Sequence, residues 1–259
     1  MNICKWLFGK KEKSWVRFYS LDPGVAKLYP IIPSNQIKRP WLSIKQGLDP
    51  DNGPMWTKNC PGIKKLIQTG WVMTAPADFK IVTNGDGVNF FFEEPYRFTK
   101  VTPGRDKYVG FHNQHQTELV LDDPNKTLKQ AVKLDTPWRL ATSQDMMLIQ
   151  MPINYNNESR FTAAAGIIDP RFTHVLNVQL FWHQLEGETI VKAGTPLCQY
   201  IPVKREYLNI DNHDVTIDVA TIEDEETEKM FNFSLSSNLL SDDNLGSRLK
   251  RVITALEKK

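Results

Sequence analysis

Cysteine is scarce, with three residues in a chain of 259, at Cys4, Cys60 and Cys198. They are odd in number and scattered, and no CxxC spacing occurs, which excludes a disulfide framework and half of a ligand set for structural zinc. A reduced, intracellular chain is the expectation. Long hydrophobic runs are also missing, since prolines and charges break every stretch before the roughly 18 to 20 apolar residues of a membrane-spanning helix. An excess of one charge is absent too. The 32 Lys and Arg against 30 Asp and Glu leave a net charge of +2, too little to predict a nucleic-acid partner from overall electrostatics. The composition, 41% hydrophobic and 24% charged, excludes disorder, collagen and coiled coil as the main architecture. Near the start, Ile3, Trp6, Leu7 and Phe8 precede Lys10, Lys11 and Lys13, the reverse of a secretory signal's charge order. The expected location is the cytoplasm, or a virion if the chain is viral.

Turn-forming residues fill the first half: Asp22-Pro23-Gly24, Pro30, Pro33, Pro40, the stretch from Asp49 to Pro54, and Pro61-Gly62. Long helices cannot fit between them. One short helix is predicted over 61–69, with Pro61 at its first position and Gly70 ending it. From Trp71 the pattern becomes β-like. Phe79 to Thr83 and Val88 to Phe92 flank Asn84-Gly85-Asp86-Gly87 and read as a hairpin. Further strands are predicted at 118–121, 138–141, 146–151, 174–182, 188–191 and 197–202. In the segment 174–182, Leu176, Val178, Leu180 and Trp182 share one face, and Val175, Asn177, Gln179 and Phe181 the other. Short strands without long amphipathic helices between them imply a mainly β protein, an antiparallel sandwich or barrel with few short helices.

The tail differs. Glu223, Asp224, Glu225, Glu226 and Glu228 form an acidic segment. Leu245, Leu249, Val252, Ile253 and Leu256 then repeat at helical spacing before Lys258 and Lys259, which predicts a C-terminal amphipathic helix. The expected organisation is an N-terminal extension over 1–14, a β-rich core over 15–207, an acidic extension over 208–240 and a helix over 241–259. That helix could engage another chain, including a second copy of this one.

Ala165-Gly166-Ile167-Ile168-Asp169-Pro170-Arg171-Phe172, the strand ending at Trp182, and Gly194-Thr195-Pro196-Leu197-Cys198-Gln199 together resemble the central portion of the dUTPase and dCTP deaminase superfamily, which has a β-clip fold. The resemblance covers about forty residues. It implies a β-clip-like core and a deoxynucleotide pocket around Asp169 and Phe172, with Gln179 and Gln199 on its strands and Arg139, Arg160 or Arg171 available for phosphate. Read without the family, Gly166 permits close backbone approach or positive φ, Asp169-Pro170 starts a rigid turn, and Phe172 offers a ring for stacking. Alternatively, Asp169 merely caps its turn through downstream amides and Phe172 is core. The departures bear on activity. His174 stands where the superfamily has a glycine, and Gln179 where the deaminases carry a glutamate. A neutral amide cannot shuttle protons as a carboxylate does. The phosphate-binding Arg-Ser turn and the Gly-rich arm are missing.

The segment 15–207 also resembles a family of bacterial and phage proteins of unassigned function. The residues carrying this are Cys60 with Gly70-Trp71, Pro137-Trp138-Arg139-Leu140, Gly166 to Phe172, Gly194 to Cys198 and Pro202-Val203-Lys204-Arg205. That resemblance implies no known reaction, and its phage branch points to a virion component or infection factor.

Other constellations have plainer readings. His112, His115 and Glu118, with His183 and Glu186, suggest a cupin-like metal site. On a strand, however, His112 and His115 would face opposite ways, and no helix is expected between Gly110 and Thr117. Trp15, Arg17, Phe18 and Tyr19, and again Tyr96, Arg97, Phe98 and Lys100, interleave rings with cations as a single-strand platform would. Sheet-core aromatics beside solvated cations explain them equally well, so nucleic acid is not the expected partner. The expected function is non-catalytic binding or structure, with no catalytic residue, metal or cofactor assigned. Asp169, Arg171, Phe172, Gln179 and Gln199 are the candidate ligand residues. A nucleotide-binding protein and a metal enzyme are the alternatives.

Overall fold

The computed structural model describes residues 13–44, 60–94 and 107–215, and its elements begin where the punctuating residues stand. Asp22 caps helix α1 (Pro23–Leu28), its carboxylate accepting from the Gly24 and Val25 amides at 2.8 and 3.1 Å. Capping with Pro at the first position starts a helix, but six residues cannot extend it far. The predicted second helix is α2 (Pro61–Gln68), again opened by Pro. Gly70 follows it at φ +77°, and a Cβ there would lie 2.1 Å from the Tyr200 carbonyl oxygen. Only glycine fits this combination of left-handed backbone and close approach.

The chain divides into two units, Met1–Ile37 with Gly70–Asn212 and Lys38–Thr69 with His213–Lys259. In the second unit the described elements are a 3₁₀ turn (Pro40–Ser43) and α2. The first unit holds the β-structure: β1 (Val16–Ser20), β2 (Ile32–Pro33), β3 (Trp71–Thr74), β4 (Phe79–Asn84), β5 (Phe90–Glu93), β6 (Val109–His112) and β7 (Ala131–Leu134). It continues with β8 (Trp138–Thr142), β9 (Met146–Met151), β10 (Phe161–Ala163), β11 (Gly166–Ile168), β12 (Val178–Trp182), β13 (Glu186–Val191) and β14 (Pro196–Lys204). They form four antiparallel sheets, ordered β1-β8, β10-β12-β7-β6, β11-β9-β14-β3-β2 and β13-β4-β5. The protein is therefore mainly β, with short helices, as its punctuation predicts. The C-terminal helix and the acidic segment lie outside the described residues.

One apolar core joins the sheets. Val178, Leu180 and Trp182 of β12 are buried with Phe79 and Ile81 of β4, Met73 of β3, Leu140 of β8, Leu148 of β9 and Tyr200 of β14. The period-two burial of β12 matches the face predicted for it. The hairpin is also formed, pairing Lys80 with Glu93 and Thr83 with Phe90. Gly85 and Gly87 in its turn take φ +86° and +68°.

Three local expectations are corrected. The run 118–121 is not a strand; Glu118–Val120 is a 3₁₀ turn continuing helix α3 (Gln114–Thr117), which was not expected either. The cause is a capping box, in which Asn113 and Gln116 satisfy each other's backbone amides and start a helix despite the β-prone residues that follow. His174 to Leu176 does not extend β12 and instead runs beside β8, where Arg139 and Val175 form an isolated bridge.

The segment from Phe161 to Ile168 serves two sheets. β10 pairs with β12, while β11, after two alanines, pairs with β9. At the changeover Ala164 donates its amide to the Gln179 carbonyl at 2.9 Å and accepts from the Gln150 side-chain amide at 2.9 Å.

Candidate functional site

Beyond β11 the chain turns at Asp169-Pro170. The Asp169 carboxylate accepts from the Arg171 amide at 3.0 Å and from its guanidinium at 2.7 to 3.2 Å, while Phe172 and Thr173 donate their amides to the Asp169 carbonyl. The same carboxylate accepts a fork from Arg205, at 2.6 Å from Nη1 and 3.0 Å from Nη2. Arg205 opens a 3₁₀ turn (Arg205–Leu208) directly after β14. The Arg205 and Arg171 guanidinium groups hold Asp169 far below the usual carboxylate range. Paired twice and capping its own turn, this carboxylate is occupied: orienting a sugar hydroxyl or a water would require displacing an arginine.

The ring beside it is free. Phe172 is 83% exposed, so it is not core, and the Arg171 guanidinium lies over it at 5.4 Å from the centroid. Ile167, Tyr207 and Ile210, in β11 and the turns after β14, are exposed as well. Gly166 departs from the expected close approach: it lies exposed in β11 with no positive φ, and a Cβ would meet nothing within 4 Å.

The candidate ligand residues do not all converge. Asp169, Arg171 and Phe172 share the turn, but Gln179 sits on β12 opposite Lys133. Gln199 is buried on β14 between Val72 and Met151. Pro202 is the β14 residue level with Leu148 and Ile168, which puts Gln199 three strand rises, about 10 Å, further along. Nearer Gln179, the buried Oε1 of Gln150 and Oδ1 of Asn177 have no hydrogen-bond partner. The phosphate candidates are already engaged. Arg139 donates to the Thr136 and Trp138 carbonyls, and Arg160 to Glu158 and the Ile190 carbonyl.

Arg205 enters the sequence reading only within the Pro202-Val203-Lys204-Arg205 motif, not as a site residue. It lies 36 positions from Asp169, with no spacing rule to connect them.

A separate cleft of about 650 Å³ is lined by Asp122, Asp123, Lys126, His183, Leu185 and Glu186 among others. His183 is held between the hydroxyls of Thr127, 3.2 Å from Nδ1, and Thr162, 2.8 Å from Nε2, and burial pushes its pKa down. Both ring nitrogens are thus taken, and Glu118 is bound to Gln114 at 2.6 Å. Among the described residues, no group of three or more His, Cys, Asp and Glu side chains is placed to hold a metal ion. No helix among them is long and apolar enough to cross a membrane. A scan against protein-family models gives no match, and a search of curated proteins finds no relative.

Proposed function

We propose that the chain is a non-catalytic, β-clip-like binding or structural protein that presents the Phe172 corner to another protein chain, and that it serves a phage as a virion component or infection factor. One observation carries the first part: the carboxylate that a reaction would need is locked between Arg205 and Arg171, while the adjacent aromatic ring stands in solvent. A large exposed ring stiffened by a stacked guanidinium is the kind of anchor that interfaces use. The phage assignment is supported by the sequence resemblance alone. A second copy of this chain is the first partner to test. Light scattering over a range of concentrations is expected to show association that Phe172→Asp weakens at least tenfold; a monomer at every concentration would count against self-association.

The second reading, a nucleotide-binding protein, is favoured by one feature. Gln150 and Asn177 offer buried oxygens without donors, and a base carrying N–H groups could satisfy them. Deoxynucleotides stabilising the protein by several degrees in a thermal-shift measurement, with the shift lost in Gln150→Leu, would establish that reading over the first.

A further inference from the structure

We propose that the outer face of the β1–β8 ribbon binds single-stranded nucleic acid. The two strands pair from Val16 with Thr142 to Ser20 with Trp138. Phe18 points inward, against Trp71 and Tyr200 at 6.2 and 5.9 Å between centroids. The alternate residues Trp15, Arg17 and Tyr19 consequently form a row on the outer face. Trp15 is 47% exposed, Arg17 is exposed, and the Arg17 guanidinium lies 5.6 Å from the Tyr19 centroid. Arg139 stands across from Tyr19. Ring, guanidinium and ring thus follow one another over four strand rises, about 13 Å.

Arg17 and Arg139 bring positive charge to this face. The other described arginines of the β-bearing unit, Arg160, Arg171 and Arg205, each hold a carboxylate. Neither Arg17 nor Arg139 takes part in an ion pair among the described residues. Of the nearby carboxylates, Asp135 pairs with Lys133 at 3.0 Å and also acts on Arg139, while Asp145 accepts from the Ser14 and Ser143 hydroxyls. Arg139 spends Nη1 on backbone carbonyls and supplies charge rather than a free fork. A partner for such a face needs repeated π-surfaces and a regular negative charge. A single nucleic-acid strand brings both at every nucleotide, and competition by poly-glutamate tests the charge without the rings. Sequence preference is not expected, because stacking and phosphate contacts read no base edges.

The test is fluorescence anisotropy of a labelled oligo-dT strand with the full chain. Binding is expected to weaken about tenfold between about 50 and 200 mM salt, as for two or three neutralised phosphates. Trp15→Ala and Arg17→Ala should each lose roughly tenfold, the effect of one stacked base or phosphate contact. Phe91→Ala, which removes an exposed ring on β5, should bind like the unaltered chain, which separates this surface from exposed aromatics in general. No binding at about 50 mM salt, binding indifferent to Trp15→Ala and Arg17→Ala, or equal displacement by poly-glutamate would each overturn the proposal. Both substitutions fall on exposed side chains, and unchanged circular dichroism would exclude loss of fold as the cause.

Discussion

Asp169 and Arg205 form a two-pronged ion pair, at 2.6 and 3.0 Å, which fastens the turn after β11 to the end of β14. Only 13% of the Asp169 side chain is exposed, yet its cover is two long side chains rather than depth, so water still screens the pair. A double-mutant cycle with Asp169→Ala and Arg205→Ala should therefore give a coupling of about 1 kcal/mol. Urea denaturation of the four proteins measures it, and additive losses would show that the fork adds no stability.

The same pair sets an acid limit. Because the folded pKa of Asp169 lies below its unfolded value near about 3.9, the stabilisation is fully present above that value and disappears as pH falls through the folded pKa. Melting temperatures between pH 7 and 2 should fall less steeply for Asp169→Asn than for the unaltered chain. Parallel curves would assign the acid sensitivity to other carboxylates.

His183 shifts stability with pH in the same direction, for a different reason. Burial favours its neutral ring, so the unfolded chain takes up a proton first, near pH 6.5, roughly the ordinary histidine value. Its contribution is full above that pH and declines as pH drops towards the folded pKa. Imidazole resonances followed by NMR should place the His183 midpoint below about 6.5; a midpoint above it contradicts the buried, threonine-held ring.

Gly70→Ala should cost about 3 kcal/mol or more, since a left-handed residue would be strained and its Cβ would collide with the Tyr200 carbonyl. A lowered urea midpoint is the expected result. An unchanged midpoint would mean that β3 and β14 can separate locally without loss.

Cys198 is fully buried, and burial pushes its thiol up to about 12. In a Cys4→Ser, Cys60→Ser background, a thiol reagent at pH 8 should find no reactive group until denaturant is added. Reaction at the unfolded rate would show that β14 opens readily.

Much of the architecture was legible because it rests on local chemistry. Prolines limited helix length, glycines marked the β4–β5 turn, and the alternation from Leu176 to Trp182 identified a core face. Local rules also misled where two competed, as when the capping box at Asn113 overrode the β-prone residues 118–121. The turn-capping role of Asp169 could be read from Asp-Pro followed by nearby amides. Its partner Arg205 could not, because strand pairing brings the two together and no sequence period encodes that pairing. Phe172 illustrates the remaining gap: an aromatic residue after a turn is compatible with core, stacking ligand or open solvent, and only the packing of the neighbouring strands distinguishes them.

The passage of one short segment from β10 into β11 has a mechanical consequence. Ala164 and Ala165 are the whole length of chain between membership of one sheet and membership of the other, too little slack for either sheet to peel away alone. Amides of β9 and β12 should hence exchange with solvent at a common rate, in a single cooperative opening, and a chain break at this splice would uncouple them.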